Sequence, residues 1–225
     1  MTVLYSQREC PYSMRARMAL MYAGMSFELR NIDSKNLPSE LATQRKKVKL
    51  PVLELADGRV LTDSLEIMHW ALLQSDPDGW IDYEIDDLEE IQGLVTINDN
   101  SFVHDVMGYV FATENQDKSQ KEYRKDCELF LAGLEQHLAK SRFLFADRVS
   151  MADFAIFPFV YLFTQVRMEW FREALYPHVW QWFDYHQNSR LLKLVMEEKP
   201  LWCHGSNPLI YPQAFIQVKE TVVSE

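Results

Sequence analysis

The sequence lacks the features of a membrane-spanning or secreted protein. No apolar run approaches the roughly 20 residues that cross a bilayer. Residues 1–5 lack a basic segment followed by an apolar one, so no secretory signal is expected. The 3 cysteines are widely spaced and odd in number, which argues against a disulfide framework. These absences predict a protein of the reducing cytoplasm.

The chain also lacks a surplus of basic groups. It carries 23 Lys and Arg residues against 33 Asp and Glu residues, a formal net charge of −10. Residues 1–79 hold ten basic and ten acidic groups, so the whole deficit lies in residues 80–225. Nucleic acids and anionic membranes select a basic face, and neither is expected as a partner. The uneven charge indicates two domains, for which 225 residues are sufficient.

Residues 1–75 alternate between strand and helix patterns, in the order β-α-β-α-β-β-α. Asp57-Gly58, between the last two strand patterns, is a strong hairpin signal. This order predicts an α/β domain with a mixed four-stranded sheet and helices on its faces. The strands are expected at residues 3–5, 27–32, 52–55 and 60–61, and the helices at 11–23, at 37–49 and from Thr62 onward.

Residues 76–85 have the composition of a linker, and helical periodicity prevails over residues 86–200. One long, bent helix is expected from Leu88 to Val106. The segment from Phe154 to Phe163 is so apolar that it should be the buried centre of an all-α bundle. Residues 201–225 contain one glycine and two prolines and predict an irregular C-terminal tail. A further helix is expected to bury an apolar stripe of Tyr123, Cys127, Phe130, Leu131, Leu134 and Leu138.

Cys10 lies between the first strand and the first helix, at about the N-cap, with Pro11 in the first helical position. The free backbone N–H groups and the dipole at a helix N-terminus favour a thiolate over a thiol. The tetrapeptide Cys10-Pro11-Tyr12-Ser13 therefore suggests a reactive cysteine. A buried structural cysteine is the alternative.

Pro51 directly precedes a strand, where proline is tolerated at a strand start or an edge. A cis peptide bond at this position would leave the N–H and C=O of Leu50 free to bind an extended peptide. An ordinary proline at a strand start is the alternative interpretation.

Asp63 and Ser64 open a helix directly after a strand, where both residue types are favoured as N-caps. The same geometry also suits a ligand. Free N–H groups and the Ser64 hydroxyl would hold a carboxylate, while Asp63 would hold an ammonium group. The pair is therefore either a helix cap or a receptor for an α-amino acid head group.

These three pieces, in this order and spacing, resemble the glutathione-binding, thioredoxin-like N-terminal domain of the glutathione S-transferase superfamily. The segment Phe143–Ala155 is similar to the signature of that superfamily's helical domain, in which Ser150 and Asp153 form a capping box. The resemblance covers residues 1–200 and implies a two-domain fold, with residues 1–75 binding glutathione as a co-substrate and residues 86–200 all-helical. The active site would lie in the cleft between them.

Within the superfamily, Cys10 resembles the nucleophile of cysteine-type members, the omega class and the glutaredoxin-like bacterial proteins. The resemblance implies glutathionyl transfer through a mixed disulfide with Cys10. Ser13 stands where a dithiol glutaredoxin has its second cysteine, which implies a monothiol cycle. The expected glutathione-binding residues are Tyr12, Ser13, Lys35, Leu50, Pro51, Val52, Asp63 and Ser64.

One position departs from the omega pattern, because Leu37 occupies the place of the lysine that precedes the helix-opening proline. Lys35 is the expected substitute; the alternative is that another group holds the glycine carboxylate of glutathione. The basic run Arg45 to Lys49 is interpreted either as a solvated helix face or as an attractive surface for anionic glutathione.

Two other functions remain open: a conjugating transferase that uses Ser13 or Tyr5, and a non-enzymatic interaction module on the same fold. The second substrate is expected to be hydrophobic or a disulfide, in a pocket lined by aromatic residues of the first long helix. Superfamily members are usually two-fold homodimers, although glutaredoxin-like members are also monomers. No metal is expected, because Cys203-His204 lacks partners at ligand spacing.

Overall fold

The computed structural model of the protein describes residues 1–33, 35, 37–38, 41, 49–82, 88–112 and 117–211. The helix expected over residues 37–49 therefore lies mostly outside the described residues, as does the end of the expected linker. Within the described part of the chain, no helix combines the length and the apolar character needed to cross a membrane.

A mixed sheet forms the centre of the N-terminal domain, with strands in the order β4-β3-β1-β2-β5. The central strand β1 runs parallel to β2 and antiparallel to β3, so Leu4 lies between Leu29 and Leu53. All three leucines are buried, which explains why these strands are apolar on one face. The strands are β1 (Val3–Ser6), β2 (Phe27–Asn31), β3 (Val52–Glu54), β4 (Val60–Leu61) and β5 (Ile210–Tyr211).

The fifth strand corrects two expectations, a four-stranded sheet and an irregular tail. β5 pairs antiparallel with β2, and the Tyr211 ring stacks on Phe27 with 5.1 Å between centroids. The Leu29 N–H also donates to the Leu209 carbonyl, 2.8 Å away. An edge strand has backbone groups that need partners, and the tail supplies them. The pairing was missed because it joins residues about 180 positions apart, which no local pattern reveals.

Helices cover the sheet and build the second domain. The described helices are α1 (Pro11–Tyr22), α2 (Ser64–Gln74), α3 (Leu88–Ile97), α4 (Val103–Val110), α5 (Gln120–Leu138), α6 (Met151–Thr164), α7 (Met168–Glu173), α8 (Pro177–Gln187) and α9 (Arg190–Val195). The buried residues of α5 are the six of the predicted apolar stripe. The thioredoxin-like sheet domain and the all-helical domain expected from the sequence are thus both present.

The expected long helix is interrupted by a π-helical turn at Asn98–Phe102, between α3 and α4. A π turn inserts one extra residue per turn and often marks a functional position. Here it carries Asp99, which faces the N-terminal domain. The expected single helix is therefore divided at this turn into α3 and α4.

The segment between the domains is packed against both. Trp80, which is buried, stacks on Tyr22 of α1 and on Phe154 of α6, with centroid distances of 3.5 and 4.0 Å. Asp76 accepts a hydrogen bond from the Tyr22 hydroxyl at 3.0 Å. This segment has the composition of a linker, but it forms a fixed connection, because the large Trp80 ring is inserted between the two domains.

Helix α6 is the buried centre of the helical domain, as its composition predicts. The predicted capping box is confirmed, since the Ser150 N–H and hydroxyl both donate to Asp153 at 2.8 Å. The other carboxylate oxygen of Asp153 accepts from the Leu144 N–H and from Trp182 Nε1. Burial raises the pKa of Asp153, and these donors counteract that shift. One carboxyl group thus joins the preceding loop, α6 and α8.

His186 is fully buried among aromatic rings, and neither of its ring nitrogens has a hydrogen-bond partner among the described residues. Burial lowers its pKa from the ordinary 6.5 to about 3. The surrounding rings lie 5.0–5.8 Å from the imidazole and belong to Phe143, Phe154, Phe157, Trp182 and Tyr185.

We expect His186 to make the protein less stable in acid. The unfolded chain binds a proton at this position below pH 6.5, whereas the native state binds it only below about pH 3. Stability therefore falls as the pH drops through this window, by about 2 kcal/mol between pH 7 and pH 5. Urea unfolding measures the free energy of unfolding at both pH values. In His186→Leu, the difference between pH 7 and pH 5 should be smaller than in the wild type by that amount. An exposed control, His69→Leu, should keep the wild-type difference; an unchanged difference in His186→Leu contradicts the prediction.

Candidate active site

Cys10 occupies the N-cap of α1, with Pro11 in the first turn, as the sequence predicts. The Cys10 carbonyl accepts the Met14 N–H at 2.8 Å, which begins the helix. Its thiol is free of any disulfide and half-buried. Among the described residues, its side chain accepts no hydrogen bond from the N–H groups of the first turn.

Ser13 does not reach the cleft in front of Cys10. It is fully buried, and its hydroxyl accepts the Gln7 N–H at 3.2 Å. Its position one turn into the helix turns it toward the loop that precedes Cys10. The Ser13 side chain therefore supports the loop, and contact of this residue with glutathione stays a prediction.

The peptide bond between Leu50 and Pro51 is cis, the geometry that the strand-adding hypothesis requires. β3 begins directly afterwards at Val52 and pairs with Tyr5 of β1. The Val52 side chain is buried and packs with Tyr5, Ile32 and Leu41.

Asp63 caps α2, since one carboxylate oxygen accepts the N–H groups of Leu65 and Glu66 at 2.9 and 3.0 Å. The capping interpretation of this residue is thus correct. Ser64, in the first turn, is buried except at the cleft, and its hydroxyl lies 3.4 Å from Arg15 Nη1. Because a guanidinium has donors only, the Ser64 oxygen accepts from it and the hydroxyl hydrogen is left for another acceptor.

A cleft of about 520 Å³ brings most of these predicted residues together. Its volume lies within the range that small-molecule sites occupy. Among the described residues, Ser13, Lys35 and Val52 are not part of its lining. The lining consists of Gln7, Cys10, Tyr12, Leu37, Lys49, Leu50, Pro51, Thr62, Asp63, Ser64 and Asp99.

Two charged members of this lining, Lys49 and Asp99, were not among the expected glutathione-binding residues, although Lys49 belongs to the basic run for which attraction of glutathione was one interpretation. Lys49, an exposed residue, lines the cleft, whereas Lys35 is not part of its described lining. Lys49 is the last residue of the basic run, but a run of like charges does not indicate which of its members faces a binding site. Asp99 comes from the helical domain and carries no local signal at all.

Arg15, also missed, joins the two sides of the cleft. It is fully buried, and its guanidinium forms a two-pronged ion pair with Asp99 at 2.6 and 2.9 Å. Its Nε donates to the Ala155 carbonyl of α6 at 2.6 Å. The guanidinium also lies 4.4 Å from the centre of the Phe159 ring. One side chain of α1 thus binds α2, the π turn and α6.

Tyr12 lies in the cleft next to Cys10, half-buried, with its ring edge-on to Phe159 at 5.0 Å. Burial and the nearby Asp99 carboxylate raise the pKa of the Tyr12 phenol. The hydroxyl is therefore a neutral hydrogen-bond donor at neutral pH, and not a competing base.

Tyr5, the rival activator, lies outside the cleft. It is 2 % exposed, and its hydroxyl accepts from Arg30 Nη1 at 2.6 Å. Its ring packs edge-on against Trp202. The first strand thus directs Tyr5 toward the C-terminal segment and away from Cys10.

Among the described residues, the aromatic side chains Phe102 and Tyr109 of the long helix do not line this cleft, and the second-substrate pocket stays a prediction. Phe102 and Tyr109 are buried in the core, and the residue that this helix adds to the described lining is Asp99. Cys127 is also core, and burial raises the pKa of its thiol. The described residues contain no group of three or more side chains suited to a metal ion.

We expect the Arg15–Asp99 pair to respond asymmetrically to substitution. Asp99→Ala leaves a fully buried cation without its partner and should destabilise the protein by about 3 kcal/mol. The double variant Arg15→Met/Asp99→Ala removes that unpaired charge and should recover part of the loss. Thermal unfolding measures both, with the exposed neighbour Asn100→Ala as the control. If Asp99→Ala were as stable as the wild type, the Arg15–Asp99 pair would not contribute to the stability of the protein.

The chain matches models of known domains in both halves. Residues 9–72 match the glutathione S-transferase N-terminal domain, and residues 117–184 match the C-terminal domain of the same proteins. Together the two matches cover more than half of the chain.

Individual proteins are similar at lower identity. Glutathione S-transferase omega-1 of Rattus norvegicus is 25% identical over 203 residues, covering 88% of this chain and 77% of that protein. Elongation factor 1-gamma of Carassius auratus is 25% identical over 213 residues, covering 88% of this chain but only 46% of that protein. A crystal structure of a glutathione S-transferase from Methylobacillus flagellatus with glutathione bound shares the fold, with a TM-score of 0.74 at 17% identity over 87% of this chain and 98% of that one. From its domain matches and its two-domain fold, the chain belongs to the glutathione S-transferase superfamily.

Proposed function

We propose that the protein is a cysteine-type, omega-like glutathione transferase that catalyses glutathionyl transfer and thiol–disulfide exchange through Cys10. The observation that carries this proposal is the cleft, in which Cys10, the Leu50–Pro51 edge and the Asp63–Ser64 helix start share one space. These are three separate chain segments. Each supplies a different group that a γ-glutamyl tripeptide needs.

Glutathione fits this arrangement in one direction. Ser64 and the first N–H groups of α2 would bind the α-carboxylate of the γ-glutamyl group, and the Asp63 carboxylate its ammonium. The backbone of Leu50 would pair with the middle residue of the tripeptide, as an added strand does. Lys49, rather than Lys35, would hold the glycine carboxylate, since it is the described lysine on the cleft. The sulfur then points toward Cys10.

The reaction follows from a single nucleophilic sulfur. The Cys10 thiolate attacks the glutathione sulfur of a mixed disulfide between glutathione and a substrate thiol. The new bond joins Cys10 to glutathione, and the substrate leaves as a thiolate that takes up a proton. A second glutathione thiolate attacks the Cys10 mixed disulfide, releases glutathione disulfide and restores the Cys10 thiolate. Ser13 has no thiol and is buried, so resolution requires this second glutathione.

The second substrate is proposed to be a disulfide or another polar oxidised compound, such as one of the dehydroascorbate type. Asp63, Lys49 and Asp99 make the described lining charged, which disfavours a flat halogenated aromatic substrate.

The proposed reaction depends on free thiols, which the reducing cytoplasm maintains. A homodimer is part of the proposal by analogy with the superfamily, and size-exclusion chromatography tests it.

The two alternative functions differ in their support. A conjugating transferase would need Ser13 or Tyr5 at the glutathione sulfur, and both are buried away from the cleft. The similarity to elongation factor 1-gamma, whose name does not describe a transferase, is the observation that supports a non-enzymatic interaction module. That function predicts no affinity for glutathione.

We expect Cys10→Ser to abolish glutathionyl transfer. The loss should be roughly 10³-fold or more, because a serine hydroxyl is not ionised at neutral pH and is a poor nucleophile toward sulfur. The assay measures deglutathionylation of a small mixed disulfide, coupled to glutathione reductase. Cys203→Ser, at an exposed position outside the described cleft lining, should keep wild-type activity. A Cys10→Ala variant that retained full activity would end the assignment.

We expect Asp63→Asn to weaken glutathione binding about tenfold while leaving the fold intact. Asparagine caps helices as well as aspartate does, so α2 should survive, but the charge facing the ammonium is lost. Isothermal calorimetry measures the affinity. Asp57→Asn, an exposed acidic residue in the hairpin, is the matched control. Unchanged affinity in Asp63→Asn would show that this carboxylate only caps the helix.

A further inference from the structure

A second cavity, of about 240 Å³, lies where the end of α1, the chain around α9 and the strand β5 meet. Its described lining shares no residue with that of the cleft at Cys10. A cavity of about 150 Å³ with apolar walls is already large enough for benzene. This space, called here the apolar cavity, therefore accommodates a short hydrocarbon chain. Its apolar lining residues are Met21, Met25, Leu194, Leu209 and Ile210.

The apolar cavity has one polar end, formed by Glu197, Lys199 and Tyr211. Lys199 Nζ lies 2.8 Å from Glu197 Oε1 and 5.9 Å from the centre of the Tyr211 ring. Burial raises the pKa of the Tyr211 phenol, so its hydroxyl stays a neutral hydrogen-bond donor at neutral pH. A ligand in this cavity would thus meet a cation and a phenol at the same end.

A small cavity adjoins this polar end, because Glu197 and Lys199 line both spaces. Its volume is about 10 Å³, which is room for one water-sized group. Arg17 of α1 also lines it and is 2 % exposed. The two Nη atoms of Arg17 donate to groups of the loop before Cys10, but its Nε–H has no acceptor among the described residues. An unpaired donor of a buried cation therefore belongs to the wall of this small cavity.

The charges at the small cavity leave one cation without a counter-charge. Its described lining includes Arg8, Arg17 and Lys199. Arg8 pairs with Glu9, and Lys199 pairs with Glu197. Arg17 has no carboxylate within ion-pair distance in the described part of the chain. Burial lowers the pKa of Arg17 to about 10, so it stays charged at neutral pH. A buried cation without a partner is costly, and a bound anion would offset that cost.

We propose that the apolar cavity and the small cavity together bind a short aliphatic carboxylate. The hydrocarbon chain lies between Met25 and Leu209, and one carboxylate oxygen enters the small cavity, where it accepts from Arg17 Nε–H. Lys199 is the second cation. The Glu197 side chain is 55 % exposed, so water screens its repulsion of the ligand far more than it screens the attraction of Arg17. The site goes beyond the proposed function, since it lies outside the described glutathione cleft.

Isothermal calorimetry on the full chain with hexanoate tests both parts of the site. Hexanoate should bind with a stoichiometry of one. Acetate, which has the charge without the chain, and 1-hexanol, which has the chain without the charge, should each bind at least about tenfold more weakly. Equal affinity for acetate would show an adventitious anion site only, and equal affinity for 1-hexanol a purely apolar cavity; either result overturns the proposal.

Variants separate the two cations from the apolar wall. Arg17→Met should weaken hexanoate binding about tenfold or more, and Lys199→Met by a smaller factor of about three. Lys193→Met removes an exposed lysine of α9 that is not part of the described lining, and it should bind as the wild type does. If Arg17→Met does not fold, Lys199→Met and the partly exposed Leu209→Asp, which should abolish binding, still decide the matter. Wild-type affinity in both Lys199→Met and Leu209→Asp overturns the proposal.

Methyl NMR of labelled methionine gives the position of the ligand. Hexanoate should shift the signals of Met21 and Met25, which line the apolar cavity, and leave that of Met107, an exposed residue of α4. Binding without a shift at Met21 and Met25, or competition by glutathione, would place the carboxylate elsewhere and contradict the proposal. None of these measurements needs transferase activity, so the loss of the proposed function would leave this site standing.

Discussion

The buried guanidinium of Arg15 is the contact on which the two-domain arrangement depends. Moving a charge out of water costs several kcal/mol, and only a full set of acceptors offsets that cost. Asp99 and the Ala155 carbonyl, both in the helical domain, supply those acceptors. Since Arg15 also donates to Ser64, the cleft residues of α2 are fixed relative to the second domain. A change in domain orientation would leave this cation unpaired, which favours one geometry of the cleft.

Helix α1 both carries the cysteine and builds its support. Ser13 and Arg17 lie one turn apart on the inner face and bind the loop that precedes Cys10. Arg15, on another face of the same helix, reaches the second domain. Cys10, the loop that precedes it and the domain contact are therefore all held by one helix, which suits the proposed exchange between two sulfur atoms.

Local signals made much of the fold and part of the site predictable. The N-cap position of Cys10, the proline before β3 and the capping box at Ser150 each depend on a few adjacent residues. The apolar stripe of α5 likewise depends only on helical period. Such patterns identify which elements form and where they begin. They do not identify which side of a helix faces a ligand, and so Ser13 was expected in the cleft although it is not part of the described lining.

Sequence patterns alone predicted the two-domain class and the cysteine at the helix start, and they led to the proposal that Asp63 and Ser64 receive an amino-acid head group. The folded structure was needed to show that Lys49 and not Lys35 lines the cleft, that Asp99 enters it from the second domain, and that β5 pairs with the sheet edge. The reason is the range of the forces involved. Capping and periodicity act within one or two turns, whereas buried charges and strand edges take their partners from wherever the folded chain brings them.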